Sequence, residues 1–283
     1  MRTRAPRLLH VSALAAGISL VLGSALRAQN PVMENYNKGV QLMTEAKWPE
    51  AATTFEGVIR DYGVANPFDT YGPAFGLIHY HLGLCQLQLK KYKEAGKQFE
   101  ASYRKYPNRI PPEKADEIPN TRNHYHLTSL YQWGRAEQGA EEYEGAIKLY
   151  KKFMEEKPEK GTYSVAELYI NLGVCHAKLG KIPEATNYLQ TVYDAFAQLN
   201  PRERFFLHKA YYDLCDQWVE KAMTREALQF MDKNDGSLRF PPYDSFKYGF
   251  HTRFLKLAQQ ASGGEENLDA LALRFFTSVS YTH

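Results

Sequence analysis

Residues 79–107 read HYHLGLCQLQLKKYKEAGKQFEASYRKYP. In this stretch Gly83 is followed at a fixed interval by Ala95, one turn later by Phe99, and finally by Pro107. The Gly-to-Ala interval recurs along the chain, from Gly39 to Ala51, Gly134 to Ala146 and Gly173 to Ala185, with Cys215 to Ala227 as a fifth instance. Four residues beyond each Ala stands a bulky apolar side chain: Phe55, Phe99, Tyr150, Leu189 and Met231. A small residue on one helix and an Ala on the next let two backbones approach closely. The bulky residue a turn later then fills the adjoining hole. Between the two positions fall the turn segments Lys47-Trp48-Pro49-Glu50, Lys90-Lys91-Tyr92 and Gly180-Lys181-Ile182-Pro183-Glu184. Pro49 and Pro183 suit the first turn of a following helix, whereas Pro107 and Pro158 close their units because neither continues a helix.

The Leu82-Gly83 pair, Ala95, Phe99 and Pro107 resemble the tetratricopeptide-repeat pattern, and the likeness extends over about residues 32–234. The resemblance implies an all-α fold, a right-handed α-solenoid of about five to six antiparallel helix pairs. The pairs are expected at 32–63, 74–107, 127–158, 164–197 and 205–234. The fifth departs from the family, with Cys215 where Gly is usual and Met231 where an aromatic is usual. Residues 63–73 (GVANPFDTYGP) and 107–123 (PNRIPPEKADEIPNTRN) are rich in Pro, Gly and Asn and read as linkers. Beyond Asp235-Gly236, residues 243–281 read as a degenerate sixth pair or the start of further repeats, split by Gly263-Gly264. No polar cap follows Phe275-Phe276, so the chain is expected to be part of a longer array.

The first 28 residues are a separate object. Arg2, Arg4 and Arg7 precede an uncharged run from Leu8 to Leu22, which gives way to Gly23, Ser24 and Ala25. Basic, apolar and small residues in that order are the layout of a secretory signal peptide, with cleavage after Ala25 or Ala28. An uncleaved membrane anchor is the alternative, but the run is short for a span and contains His10, Ser12 and Ser19. The expected location is the periplasm or the exterior. The leader holds four of the 35 basic residues and no acid, leaving 31 Lys and Arg against 32 Asp and Glu, a formal charge of −1. That balance offers no cationic footprint for nucleic acid. Cys85, Cys175 and Cys215 are widely spaced, fall on apolar helix faces and read as core thiols.

Few residues suggest chemistry. His79 and His81, like His124 and His126, stand two apart, and on a helix such pairs point in separate directions, so neither converges on a metal. There is no phosphate-binding Gly-rich loop and no nucleophile elbow. The acidic run from Glu137 to Glu144 lies across a helix–helix turn and reads as solvated. No enzyme activity, metal or cofactor is expected.

The chain holds 20 Tyr, a large share for a polar scaffold. Tyr36, Tyr80, Tyr131 and Tyr212 each stand three residues before a repeat Gly or its equivalent, with Ile170 in the fourth unit. In tetratricopeptide proteins the first helix of each pair lines a concave groove, so the resemblance implies a binding site there. Tyr36, Tyr80, Tyr131 and Tyr212, with Leu84 and Arg135, are the candidate groove residues. The same rings serve equally well to pack repeat against repeat. The Lys and Asn of a carboxylate clamp are replaced by Tyr and by Val40, Leu84 and Val174. The expected function is therefore binding of a peptide segment or protein partner in the cell envelope, within a multi-protein complex. A carbohydrate- or polymer-binding accessory role, using tyrosines and the 107–123 loop, is the alternative.

Overall fold

The computed structural model of the chain describes residues 31–63, 72–106, 123, 125–158, 163–221 and 223. The expected leader, the interior of both linkers, the end of the fifth pair and the pair at 243–281 lie outside those residues. Among the described residues the chain is all α, with nine α-helices, one short 3-10 turn (Phe196–Gln198) and no strand. The described residues fall into two compact units, one of those from 31 to 141 with 153–157, the other of 142–152 with those from 158 to 223.

The first unit is built from α1 (Pro31–Thr44), α2 (Trp48–Tyr62), α3 (Gly72–Gln88), α4 (Tyr92–Lys105) and α5 (His126–Gly139). The sequence pattern has its physical counterpart here. A methyl group added to Gly39 would lie 2.5 Å from Phe55 Cε1, and one added to Gly83 would lie 2.7 Å from Phe99 Cε1. Ala51, Ala95, Phe55 and Phe99 are wholly buried, so each bulky side chain fills the notch its small partner leaves. The second unit takes most of α6 (Tyr143–Glu155), with α7 (Val165–Lys178), α8 (Ile182–Asp194) and α9 (Pro201–Glu220). Gly173 faces Leu189 in the same way, at 2.7 Å. Leu207, Tyr211 and Leu214 of α9 complete that core.

Three turns inside helix pairs close by one device. Lys47 N–H donates to Leu42 O at 2.9 Å while Ala46 N–H donates to Met43 O at 3.0 Å. The same two bonds recur from Lys91 to Gln86 and Lys90 to Leu87, and from Lys181 to His176 and Gly180 to Ala177. They satisfy the last carbonyls of the helix and require one left-handed residue. That residue is Ala46 (φ 57°), Lys90 (58°) or Gly180 (70°), and Glu141 (65°) takes the equivalent place after α5. A Cβ there carries strain that glycine avoids. Ala46→Gly, Lys90→Gly and Glu141→Gly are each expected to raise stability by roughly 0.5–1 kcal/mol, read as a higher urea midpoint. Gly180→Ala should lower it by a similar amount.

Two helix starts carry side-chain caps, the second of them reciprocal. Ser164 Oγ accepts from Glu167 N–H at 3.0 Å, and Glu203 N–H donates to Asn200 Oδ1 at 3.0 Å while Asn200 N–H donates to Glu203 Oε2 at 2.9 Å. Ser164 Oγ also donates to Glu203 Oε1, and the Arg202–Glu167 ion pair at 3.1 Å joins the same two helix ends.

A buried polar knot sits among α3, α4 and α5. Asn123 Nδ2 donates to Ser102 O at 3.0 Å and Tyr106 O at 2.8 Å, and Asn123 Oδ1 accepts from Tyr125 N–H at 3.1 Å. Ser129 Oγ donates to Ser102 Oγ at 2.8 Å, and Ser102 Oγ donates to Gly76 O at 2.8 Å. Ser102, Asn123 and Ser129 are fully buried, and their mutual bonds remove the penalty that unpaired polar groups would carry. The residue that ends the second linker is thereby fastened to the end of α4.

Candidate functional site

In the first unit α1, α3 and α5 are the leading helices of successive pairs, and aromatic contacts join them. The Tyr36 ring of α1 meets His81 of α3 edge-on, with centroids 5.6 Å apart. Tyr80 of α3 stacks on Tyr125, just before α5, at 4.3 Å and only 2° between planes. Helical spacing puts Met33, Tyr36 and Val40 on one face of α1, Leu77, Tyr80 and Leu84 on one face of α3, and Thr128, Tyr131 and Arg135 on one face of α5.

The named tyrosines lie in the interior. Tyr36 is 3%, Tyr80 7%, Tyr131 7% and Tyr212 4% exposed, as is Ile170 at 3%. Tyr131 packs on Phe153 at 5.5 Å, and Tyr212 belongs to the core of the second unit. Packing between helices is thus the role the rings perform, and a partner lying on this face would meet the residues beside them. Those are Met33, Val40, Leu77 and Leu84, all half-buried, and Arg135, which is exposed. Leu84 touches both core clusters of the unit, which fixes its position at the centre of the face. Helix α3 supplies this floor because it contains no Asp, Glu, Lys or Arg along its whole length.

His81 lies at the centre of the rings, with Tyr80 at 5.3 Å, Tyr125 at 5.4 Å and Phe55 at 6.1 Å in addition to Tyr36. Its Nδ1–H donates to Leu77 O at 2.8 Å, which sets the neutral tautomer. Burial pushes its pKa down to about 4 from the ordinary 6.5, only partly opposed by that bond. Burial likewise raises the phenol pKa of Tyr36, with a smaller contribution from Tyr125. Tyr80 is raised by burial and by Tyr125, against the lowering effects of the nearby Arg135 charge and a hydrogen bond with Gln132. Arg135 Nη1 donates to Gln132 Oε1 at 3.0 Å. Tyr80, Gln132 and Arg135 therefore form one polar edge to an otherwise apolar floor.

His81, Tyr125 and Gln132 are neighbours of the candidate residues that the repeat spacing alone does not single out. The repeated His-Tyr-His triplet was the available signal, and it points to packing: His79 Nδ1 bonds Gln98 Oε1 at 2.7 Å, and His126 stacks on Tyr103 at 4.5 Å. Among the described residues no group of three His, Cys, Asp or Glu is placed to hold a metal. Cys85, Cys175 and Cys215 are buried thiols, and burial pushes Cys85 and Cys175 up to about 12, far from the thiolate state a nucleophile needs. No described helix is long and apolar enough to cross a membrane.

Comparison with solved structures reinforces the architecture. The apo form of RapI superposes with a TM-score of 0.56 at 15% identity, covering 88% of this chain and 84% of its own. MamA (41-end) from Desulfovibrio magneticus RS-1 gives 0.51 at 14%, covering 74% and 96%. YrrB, described as a TPR protein with an unusual peptide-binding site, gives 0.50 at 16%, covering 78% and 92%. The sequence matches no curated protein. The Tetratricopeptide repeat profile matches residues 36–110 and 131–200, together half of the chain. With the Gly–Ala–bulky notches present in both units, this chain belongs to the tetratricopeptide-repeat family.

Proposed function

We propose that this chain is an exported scaffold of the cell envelope that holds a segment of a partner protein along the α1–α3–α5 face, without catalysing a reaction. Membership of a repeat family built for protein–protein interaction supports the binding role. The observation that carries the choice of face is the half-buried apolar row Val40–Leu84, with α3 free of charge along its whole length and exposed Arg135 at the border. The buried rings behind it keep the floor rigid, which lowers the entropy lost on binding. The leader pattern of residues 1–28 supports export. A glycan-stacking role for Tyr36, Tyr80, Tyr131 and Tyr212 finds no support in their burial.

The test is affinity capture from envelope extract with the wild type beside a Leu77→Lys/Leu84→Lys variant whose far-ultraviolet circular dichroism is unchanged. Long lysine stems reach solvent from half-buried sites, so helicity should survive. Capture lost in the folded variant supports the face. Identical capture by both proteins removes it. Fractionation of cells expressing the chain with and without residues 1–28 tests export separately, and equal distribution of the two forms would exclude it.

A further inference from the structure

Arg135 is exposed, bonds a neutral amide rather than a carboxylate, and has no ion-pair partner among the described residues. It is also the one charge on its face among the described residues. Helix α3 has none, and on α1 the charged Glu34 and Lys38 lie more than a quarter-turn away from the Met33–Val40 line at 100° per residue. The other charged residue of α5, Glu137, accepts from Trp133 Nε1 of its own helix at 3.0 Å and turns toward α4, where it would meet a Cβ at Gly96 at 3.6 Å. An apolar floor thus ends at one guanidinium whose planar fork is made for carboxylate.

Building on the scaffold reading above, we infer that the partner segment is a short extended stretch of aliphatic residues bearing one Asp or Glu side chain, which pairs with Arg135 while the aliphatics cover Leu84 and Val40. Neighbouring helices pack about 8–10 Å apart, so two steps from α1 to α5 span roughly 16–20 Å. An extended chain rising about 3.3 Å per residue covers that in about six residues. A side-chain carboxylate lets the segment run on past Arg135 as an internal stretch of a longer partner, whereas a terminal one would have to end there. The carboxylate supplies register, and the aliphatics supply the buried area.

The experiment is fluorescence anisotropy of the full chain with a labelled hexapeptide library, acetylated and amidated, with alternating Leu and Val and a Glu scanned through each position. Matched libraries carry Gln or Lys in its place, and a further arm carries a free C-terminal carboxylate and no Glu. The wild type is expected to bind the best Glu peptide about tenfold tighter than its Gln match, as for one charge-assisted pair. Arg135→Ala should erase that difference, and Arg135→Glu should transfer the preference to the Lys library. Arg135 is exposed, so neither variant threatens the fold.

Equal binding of Glu and Gln peptides by the wild type, or a retained Glu preference in Arg135→Glu, overturns the inference. So does a preference confined to the free-terminus arm. If no peptide binds yet protein capture still depends on Leu77 and Leu84, this inference falls and the scaffold reading stands. If capture is also insensitive to them, both fall.

Discussion

Phe99→Ala is expected to destabilise the first unit by about 3–5 kcal/mol, the range for removing a fully buried aromatic ring. The whole stability of a domain is about 5–15 kcal/mol, so this one change removes a large share of what holds the unit folded. The size follows from position. Phe99 is wholly buried, its ring closes the notch at Gly83, and it meets Tyr80 edge-on at 5.9 Å. Nothing else can fill the hole, because the helix backbones on either side are held by their own hydrogen bonds. Gly83→Ala approaches the same contact from the other side. Its new methyl would lie 2.7 Å from the ring, an overpacking cost of roughly 1–3 kcal/mol set against about 1 kcal/mol gained in helix propensity. Combining Gly83→Ala with Phe99→Leu should cost less than the sum of the two, since the smaller side chain makes room for the methyl. Urea unfolding followed by circular dichroism compares the four variants with the wild type. A loss below 1 kcal/mol for Phe99→Ala, or strict additivity in the cycle, would show that the ring and the glycine do not share a notch.

Acidification is the second perturbation with a large expected effect. The unfolded chain protonates His81 near 6.5, whereas the folded chain resists protonation until about pH 4. Between these values the unfolded state holds more protons, so stability is fully present above 6.5 and declines as pH falls toward 4. At about 1.4 kcal/mol per pH unit the gap amounts to about 3 kcal/mol, of which about 2 kcal/mol is gone by pH 5. Burial depresses His79 and His176 in the same direction, adding to the slope. The measurement is the urea midpoint from pH 7.5 to pH 5, for the wild type and for His81→Phe, which keeps the ring inside its aromatic surround. The variant should lose more than half of the slope. An unchanged slope would place the titrating group elsewhere.

The parts of this fold that were legible in advance are those where two positions must satisfy one packing constraint at fixed separation. Gly83, Ala95 and Phe99 announce a helix pair because no other arrangement needs a notch, a flat spot and a plug at those intervals. The left-handed turn residues escape such reading, since neither Lys90 nor Glu141 belongs to the types that favour that conformation. Capping at Ser164 and Asn200 was available as a polar residue with Glu three places on, but the Gly–Ala spacing passes over it. The candidate face was half legible. Helical spacing places Tyr36 and Tyr80 beside Val40 and Leu84, yet depth is decided by side chains arriving from distant sequence. Tyr125 covers Tyr80 from across the second linker, and Phe55 and Tyr36 enclose His81 from the preceding pair. What a solvent-facing stripe would have offered a partner is spent instead on holding neighbouring pairs together.

The bond from Asn123 to Tyr106 O also bears on how such chains change over evolutionary time. With the chain seized on both sides of residues 107–122, the helices no longer register how much sequence runs between the two grips. Lengthening a closed loop twofold costs only about 0.6 kcal/mol, so that interval is a place where a whole foreign module could be spliced in while the repeats keep their spacing. A fluorescent protein inserted there, tolerated by the fold, would turn this linker into a port for cargo.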